Sequence, residues 1–251
     1  MMKLFPYLYD LFFIISDHIK MEKVYKKILL STLHRKYQTI RSLHFDFSKG
    51  EIFYPSKFLK SKLGKMLVLL IGDLHIPYRA HEILKVFREH LQPGKIHQIL
   101  CTGNVCIKSE LDYLRTICNE IVVVKGEYDE EGISSTEQTV LTIGGFKVGL
   151  ISSYSVFPIT DQSRLALKQR ELDVDILVHG GTHQADASVY DNCFYLNPGS
   201  ATGAYISEDP HPTPSFILLN VQGTTAIAYL YTLGEEGNIL VNKVKFSKDE
   251  E

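Results

Sequence analysis

Met66-Leu67-Val68-Leu69-Leu70-Ile71-Gly72-Asp73-Leu74-His75 is the stretch on which the reading of this chain turns. Six consecutive apolar residues are too continuous for a strand with one wet face, which would alternate. They fit a strand buried on both sides, as in a parallel sheet covered by other layers. The run ends at Gly72, and the next polar side chains are a carboxylate and an imidazole. Polar turns at the carboxyl ends of buried strands are where α/β sheets bind their ligands.

Downstream, the same pattern returns. His97–Cys101 and Ile121–Val124 read as two further strands, separated by helices near 80–91 and over Ser109–Ile117, with Pro93-Gly94 stopping the first helix. Strand and helix alternating at this spacing argue for βαβ units. Thr139–Ile143 and Lys147–Ile151 flank Gly144-Gly145, a hairpin signal. A helix near 161–171 precedes a strand at Asp175–Val178. Strands at 187–190, 193–196, 215–221, 224–231 and 239–246 then make the remainder all-β. The simplest single domain holding both halves packs two sheets face to face with helices outside, an αββα sandwich.

Upstream, residues 1–65 differ in style, being rich in Phe, Tyr, Leu and Lys with almost no glycine. Leu11-Phe12-Phe13-Ile14-Ile15 is far short of the ~20 apolar residues that cross a bilayer. Ser16-Asp17-His18 supplies no signal-peptide cleavage site. Met21–Gln38 has the spacing of a basic amphipathic helix. Met66 is expected to open the folded domain, residues 66–246, with 1–65 an extension or a gene-model artefact and 247–251 a charged tail.

Composition excludes several classes. The net charge of -2 gives no footprint for nucleic acid. Cys101, Cys106, Cys118 and Cys193 have no CxxC spacing, and no N-glycosylation sequon occurs. Reduced cytosolic thiols are therefore expected rather than a zinc finger or a disulfide framework.

Four polar clusters follow predicted strands: Gly72-Asp73-Leu74-His75, Thr102-Gly103-Asn104, Lys125-Gly126-Glu127-Tyr128-Asp129 and His179-Gly180-Gly181-Thr182-His183. A glycine followed by a metal-ligand type, recurring after successive buried strands, is far more specific than one Asp-x-His. Asp, His and Asn suit ions such as Zn or Mn.

In these blocks the chain resembles the calcineurin-like metallophosphoesterase family, over essentially all of residues 66–246. The resemblance implies a two-metal phosphoesterase centre. It puts Asp73, His75 and His183 at the first metal, Asn104 at the bridging aspartate and Glu127 at a second-metal ligand. It also shows where this chain departs from such an enzyme. Tyr128 stands at the catalytic histidine, while Ser152 and Gly181 stand at two further metal-binding histidines. Asn104 and Glu127 alone are too few to hold a second ion. No catalytic residue and no required cofactor are therefore expected. A single divalent cation on Asp73, His75, Asn104 and His183 remains open, with His179 as a surrogate ligand, beside a metal-free polar crevice.

Gly72–Pro77, Pro93–Ile96, Ile99–Asn104 and Asn197–Tyr205 resemble more closely a non-catalytic branch of that family, the small-subunit branch of the endosomal coat retromer. That resemblance implies a scaffold in endosome-to-Golgi retrograde transport, cytoplasmic and peripheral on endosomal membranes. Its crevice face would dock on the carboxy-terminal end of retromer's α-solenoid subunit. Val156-Phe157-Pro158-Ile159 is an apolar run fit for such a contact, although such runs are as often core. Leu67, Leu218, Tyr229 and Tyr231 form a second patch on alternate strand positions, where the branch receives regulatory proteins; ordinary packing accounts for them equally well. The competing functional reading is a metal-dependent phosphoesterase with a degenerate one-metal site.

Overall fold

The computed structural model describes residues 65–248, together with the backbone of two short antiparallel strands, β1 (His44–Asp46) and β2 (Glu51–Phe53). The apolar run at 11–15, the amphipathic stretch 21–38 and residues 249–251 of the charged tail lie outside the described residues.

Strand β3 (Met66–Ile71) is fully buried over its last four residues, and its alternation sorts them between two cores. Val68 and Leu70 face inward to a cluster with Phe146, Val148, Val178, Phe194, Ile217 and Leu219. Leu69 and Ile71 face outward to Phe87, Leu111, Leu114 and Phe216. That double burial is why the run carries no polar residue. Each such side chain contributes ~1.5–3 kcal/mol on leaving water.

The inward cluster lies between two sheets. One has six strands in the order β13-β12-β11-β3-β4-β5, the other five in the order β6-β7-β8-β10-β9. In the first, β4 (Gln98–Cys101) and β5 (Ile121–Val123) run parallel to β3. Antiparallel β11 (Ser215–Gln222), β12 (Thr225–Leu233) and β13 (Ile239–Ser247) extend its other side. In the second, β7 (Phe146–Ile151), β8 (Ile176–Val178) and β10 (Cys193–Pro198) are parallel, with β6 (Gln138–Ile143) and β9 (Ala185–Tyr190) antiparallel at its edges. Helices α1 (Lys85–Arg88) and α2 (Lys108–Ile117) cover the six-stranded sheet through Phe87, Leu111 and Leu114. Helix α3 (Gln162–Leu172) covers the other through Leu165, packed with Ile151, Leu177 and Tyr195. The expected αββα sandwich is present.

One expected element is much shorter than its periodicity suggests. Ile83, Phe87 and Leu91 are all buried, as a helix over 80–91 requires, but only Lys85–Arg88 is helical. The Arg88 Nε donates to the Ile83 carbonyl at 2.8 Å, and Leu84, with φ -53° and ψ 137°, is not helical, so the chain enters the turn at 84. Burial periodicity was sound there, and tertiary contacts override helix length.

Candidate metal centre and crevice

The turns after the parallel strands meet at one end of the sandwich. The Asp73 amide donates to the Gly103 carbonyl at 3.0 Å and the His75 amide to the Asn104 carbonyl at 2.9 Å, which locks the first two turns together. Asp73, His75, Asn104 and His183 all take positive φ, between 48° and 56°. Such non-glycine residues cost about 1–3 kcal/mol each, and they cluster where side chains must be aimed into a site.

Three side chains converge. Asp73, His75 and His183 are buried, and one potential ligand atom from each lies within 4.8 Å of the others. The Nε2 atoms of His75 and His183 face each other at 3.2 Å. The Nδ1 of His183 donates to the Ala204 carbonyl at 2.5 Å, which leaves its Nε2 with a lone pair toward the site. The Nδ1 of His75 is buried without a partner. Asp73 is oriented by the Asn104 amide, 2.9 Å from Oδ1, and by the Gly181 backbone N–H, 2.7 Å from Oδ2. Burial raises the Asp73 pKa from its ordinary value, opposed by His183, Asn104 and Gly181. Burial, followed by His183 and Arg79, pushes His75 down to about 3, so it is a neutral imidazole at neutral pH and available as a ligand. Two imidazoles and a carboxylate suit a divalent ion such as zinc, which would polarise a bound water there.

The neighbouring positions make contacts of their own. Asn104 is spanned at both ends, donating through Nδ2 to Asp73 and accepting at Oδ1 from the Tyr128 N–H at 3.2 Å. Ser152 is buried, and its hydroxyl donates to the Lys125 carbonyl. His179 is buried and turned to Asn197, 3.4 Å away, and stands outside the three-residue cluster. Glu127 is exposed on the wall of a cavity of about 590 Å³ in front of the cluster.

The same cavity is bordered by Phe157, Pro158 and Ile159. Phe157 is 87% exposed, whereas Val156 turns inward and packs with Ile151 and Leu165. The apolar run is thus split between surface and core. Leu67, Leu218, Tyr229 and Tyr231 share the outer face of the six-stranded sheet, with Leu218 paired opposite Tyr229. Leu218 is buried, and Tyr231 stacks on Phe216 with centroids 4.7 Å apart.

Two features escaped the sequence reading. Asp129 accepts from the backbone N–H groups of Gly126, Asn104 and Cys106 at 2.7–3.2 Å, tying the second and third turns together. Arg79 lies with its guanidinium carbon 4.6 Å from the Tyr128 ring centroid and 5.4 Å from that of Tyr205, and donates to the Tyr205 carbonyl at 3.1 Å. The signal for Asp129 was present in the Gly126–Asp129 cluster. Arg79 follows His75 by four residues with nothing local to mark it.

Residues 66–224 match the calcineurin-like phosphoesterase superfamily domain, and the chain belongs to that superfamily. A curated relative, vacuolar protein sorting-associated protein 29 (Vps29) of Schizosaccharomyces pombe, is 42% identical over 191 residues, 74% of this chain and 100% of the relative. Among solved structures, wild-type Vps29 of Entamoeba histolytica in complex with Zn is 44% identical with a TM-score of 0.68, over 72% of this chain and 100% of that one. Vps29 of Cryptosporidium parvum is 40% identical with a TM-score of 0.70, over 73% and 99% respectively. Within the superfamily, the chain is a member of the Vps29 family.

Proposed function

We propose that the protein is the non-catalytic scaffold subunit of retromer, and that its crevice face binds the carboxy-terminal end of the α-solenoid subunit, vacuolar protein sorting-associated protein 35. The observation that carries this reading is Phe157, a large apolar side chain 87% exposed at the mouth of the crevice. A phenyl ring held out from a loop beside the crevice is the kind of anchor that fills a partner's pocket. Tyr128 and Tyr205, also exposed beside the cavity, and Arg79 between them add interface-prone residues to the same face.

Membership of the Vps29 family supports the retromer role, and with it a place in endosome-to-Golgi transport on the cytoplasmic side of endosomal membranes. Among the described residues no helix is long and apolar enough to cross a membrane; in this reading, attachment there runs through the other subunits. The chemistry of the site supports a non-catalytic reading. Tyr128 stands where the resemblance puts the catalytic histidine, and a phenol is a far weaker proton donor than an imidazolium; a general acid is worth ~10²–10⁴ in rate. Regulatory proteins are assigned to the outer sheet face at Leu67, Leu218, Tyr229 and Tyr231.

The test is co-purification of the full chain with the solenoid subunit. Phe157→Asp should weaken association at least ~30-fold, the value of a 2 kcal/mol anchor. Binding at natural strength in a folded variant would refute the interface. The Asp73, His75 and His183 cluster favours one alternative, a degenerate one-metal phosphoesterase. It requires manganese-dependent phosphodiester hydrolysis lost in Asp73→Ala.

A further inference from the structure

We propose that the crevice is a mononuclear metal site, taking one divalent cation on Asp73, His75 and His183, with Asn104 a strut rather than a ligand and the adjoining cation position closed by the chain itself. The inference concerns ion stoichiometry and is independent of the scaffold reading.

The first half of the argument is the pair of imidazoles. Facing nitrogens 3.2 Å apart, one with its proton committed elsewhere at Ala204, need a proton or a cation between them. Two nitrogens on one zinc at 2.0–2.1 Å stand about 3.3 Å apart in tetrahedral geometry, close to the observed spacing. The Asp73 Oδ1 is 4.0 Å from the His183 Nε2, near enough to complete the set with a small rotation. The hydrogen bonds that Asp73 accepts still leave lone pairs free, because a carboxylate offers about four acceptor sites.

The second half is what occupies the neighbouring space. An ion there would need side chains from Asn104, Glu127, Ser152 and position 181. Asn104 spends its Nδ2 on Asp73 and one of the two lone pairs of its Oδ1 on the Tyr128 N–H, which leaves at most one neutral donor, and the Ser152 hydroxyl is turned to the Lys125 carbonyl. Gly181 has φ +91°, and a Cβ on it would lie 2.5 Å from the Ser153 Cβ. No larger residue enters without moving the segment that follows β7. Missing ligands and missing space both oppose a second ion.

The experiment uses the untagged full chain, stripped with chelator and re-equilibrated with zinc alone or manganese alone. Elemental analysis after gel filtration should give one ion per chain. The manganese form should give the paramagnetic resonance spectrum of an isolated ion, not of an exchange-coupled pair. Asp73→Asn, which preserves shape, and His183→Ala should both lose the ion. The double variant S152H/G181H should gain no second ion and should melt earlier than the natural chain. Two ions per chain, no ion, an ion retained in His183→Ala, or a second ion in the double variant would each overturn the proposal. None of these readouts touches the solenoid subunit, so failure here leaves the Phe157 test standing, and the reverse.

Discussion

Phe157 and Leu218 are both apolar residues in segments proposed to meet partners, yet they stand in opposite relations to the fold. Phe157 projects from the loop after β7 and is 87% exposed, while its neighbour Val156 is in the core. Leu218 lies in the middle of β11, is 9% exposed, and packs with Leu69 and Tyr229 on the outer face of the six-stranded sheet. One surface is separable from stability, and the other is continuous with it. A partner at the loop can be tuned by mutation without cost to folding. A partner at the sheet face must read side chains that also hold α1 and α2 in place.

The largest effect that would break this contrast is on folding. Leu218→Ala should lower unfolding free energy by about 2–4 kcal/mol in urea titration, through lost transfer and an unfilled cavity. Phe157→Asp should leave the unfolding free energy within ~0.5 kcal/mol. Equal losses would mean that the loop is structural and the comparison false.

Acid should separate the two regions next. His179 sits beneath the crevice, and burial pushes it down to about 4. Unfolding frees it to take up a proton below its ordinary value near 6.5. Its contribution is complete above pH 6.5 and is lost as pH falls through the window toward 4. At ~1.4 kcal/mol per pKa unit this amounts to a few kcal/mol. His179→Asn should flatten the slope of stability against pH in that window, and an unchanged slope would remove the histidine from the account. On the sheet face, burial raises the Tyr231 phenol, so it adds no slope in acid.

The smallest effect refines the loop. Asp161 caps α3 by accepting from the Ser163 and Arg164 amides at 2.8 and 3.3 Å, one residue past the Phe157–Thr160 segment. Asp161→Ala should cost about 1 kcal/mol of stability and weaken partner binding less than Phe157→Asp does. If binding fell equally, loop order rather than the phenyl ring would be the determinant.

The layers of the fold were legible because burial leaves its period in the residues. Met66–Ile71 is apolar throughout because it serves two cores, and the hairpin at Gly144-Gly145 and the late strands lie where their alternation placed them, give or take a few residues. Helix α1 was over-read because Ile83, Phe87 and Leu91 report burial, and an irregular segment can bury at a helical spacing too. At the crevice, the turns after β3 and β8 brought Asp73, His75 and His183 together as their positions implied. The work of Asn104, Asp129 and Arg79 was not legible. Each bonds across 24 to 126 residues of chain, and residue type alone does not reveal that a polar group will be spent on holding two loops together.

The lack of room for a side chain at Gly181, beside Ser153, also limits what substitution can do. A histidine restored at 181 would meet the Ser153 side chain, and one restored at 152 would have to give up the hydroxyl's bond to Lys125 and would still lack its companion. Neither step alone recovers an ion, and the first is strained from the outset. The chain therefore sits behind a ratchet, where acquiring a second ion demands several coordinated replacements rather than a path of individually useful ones.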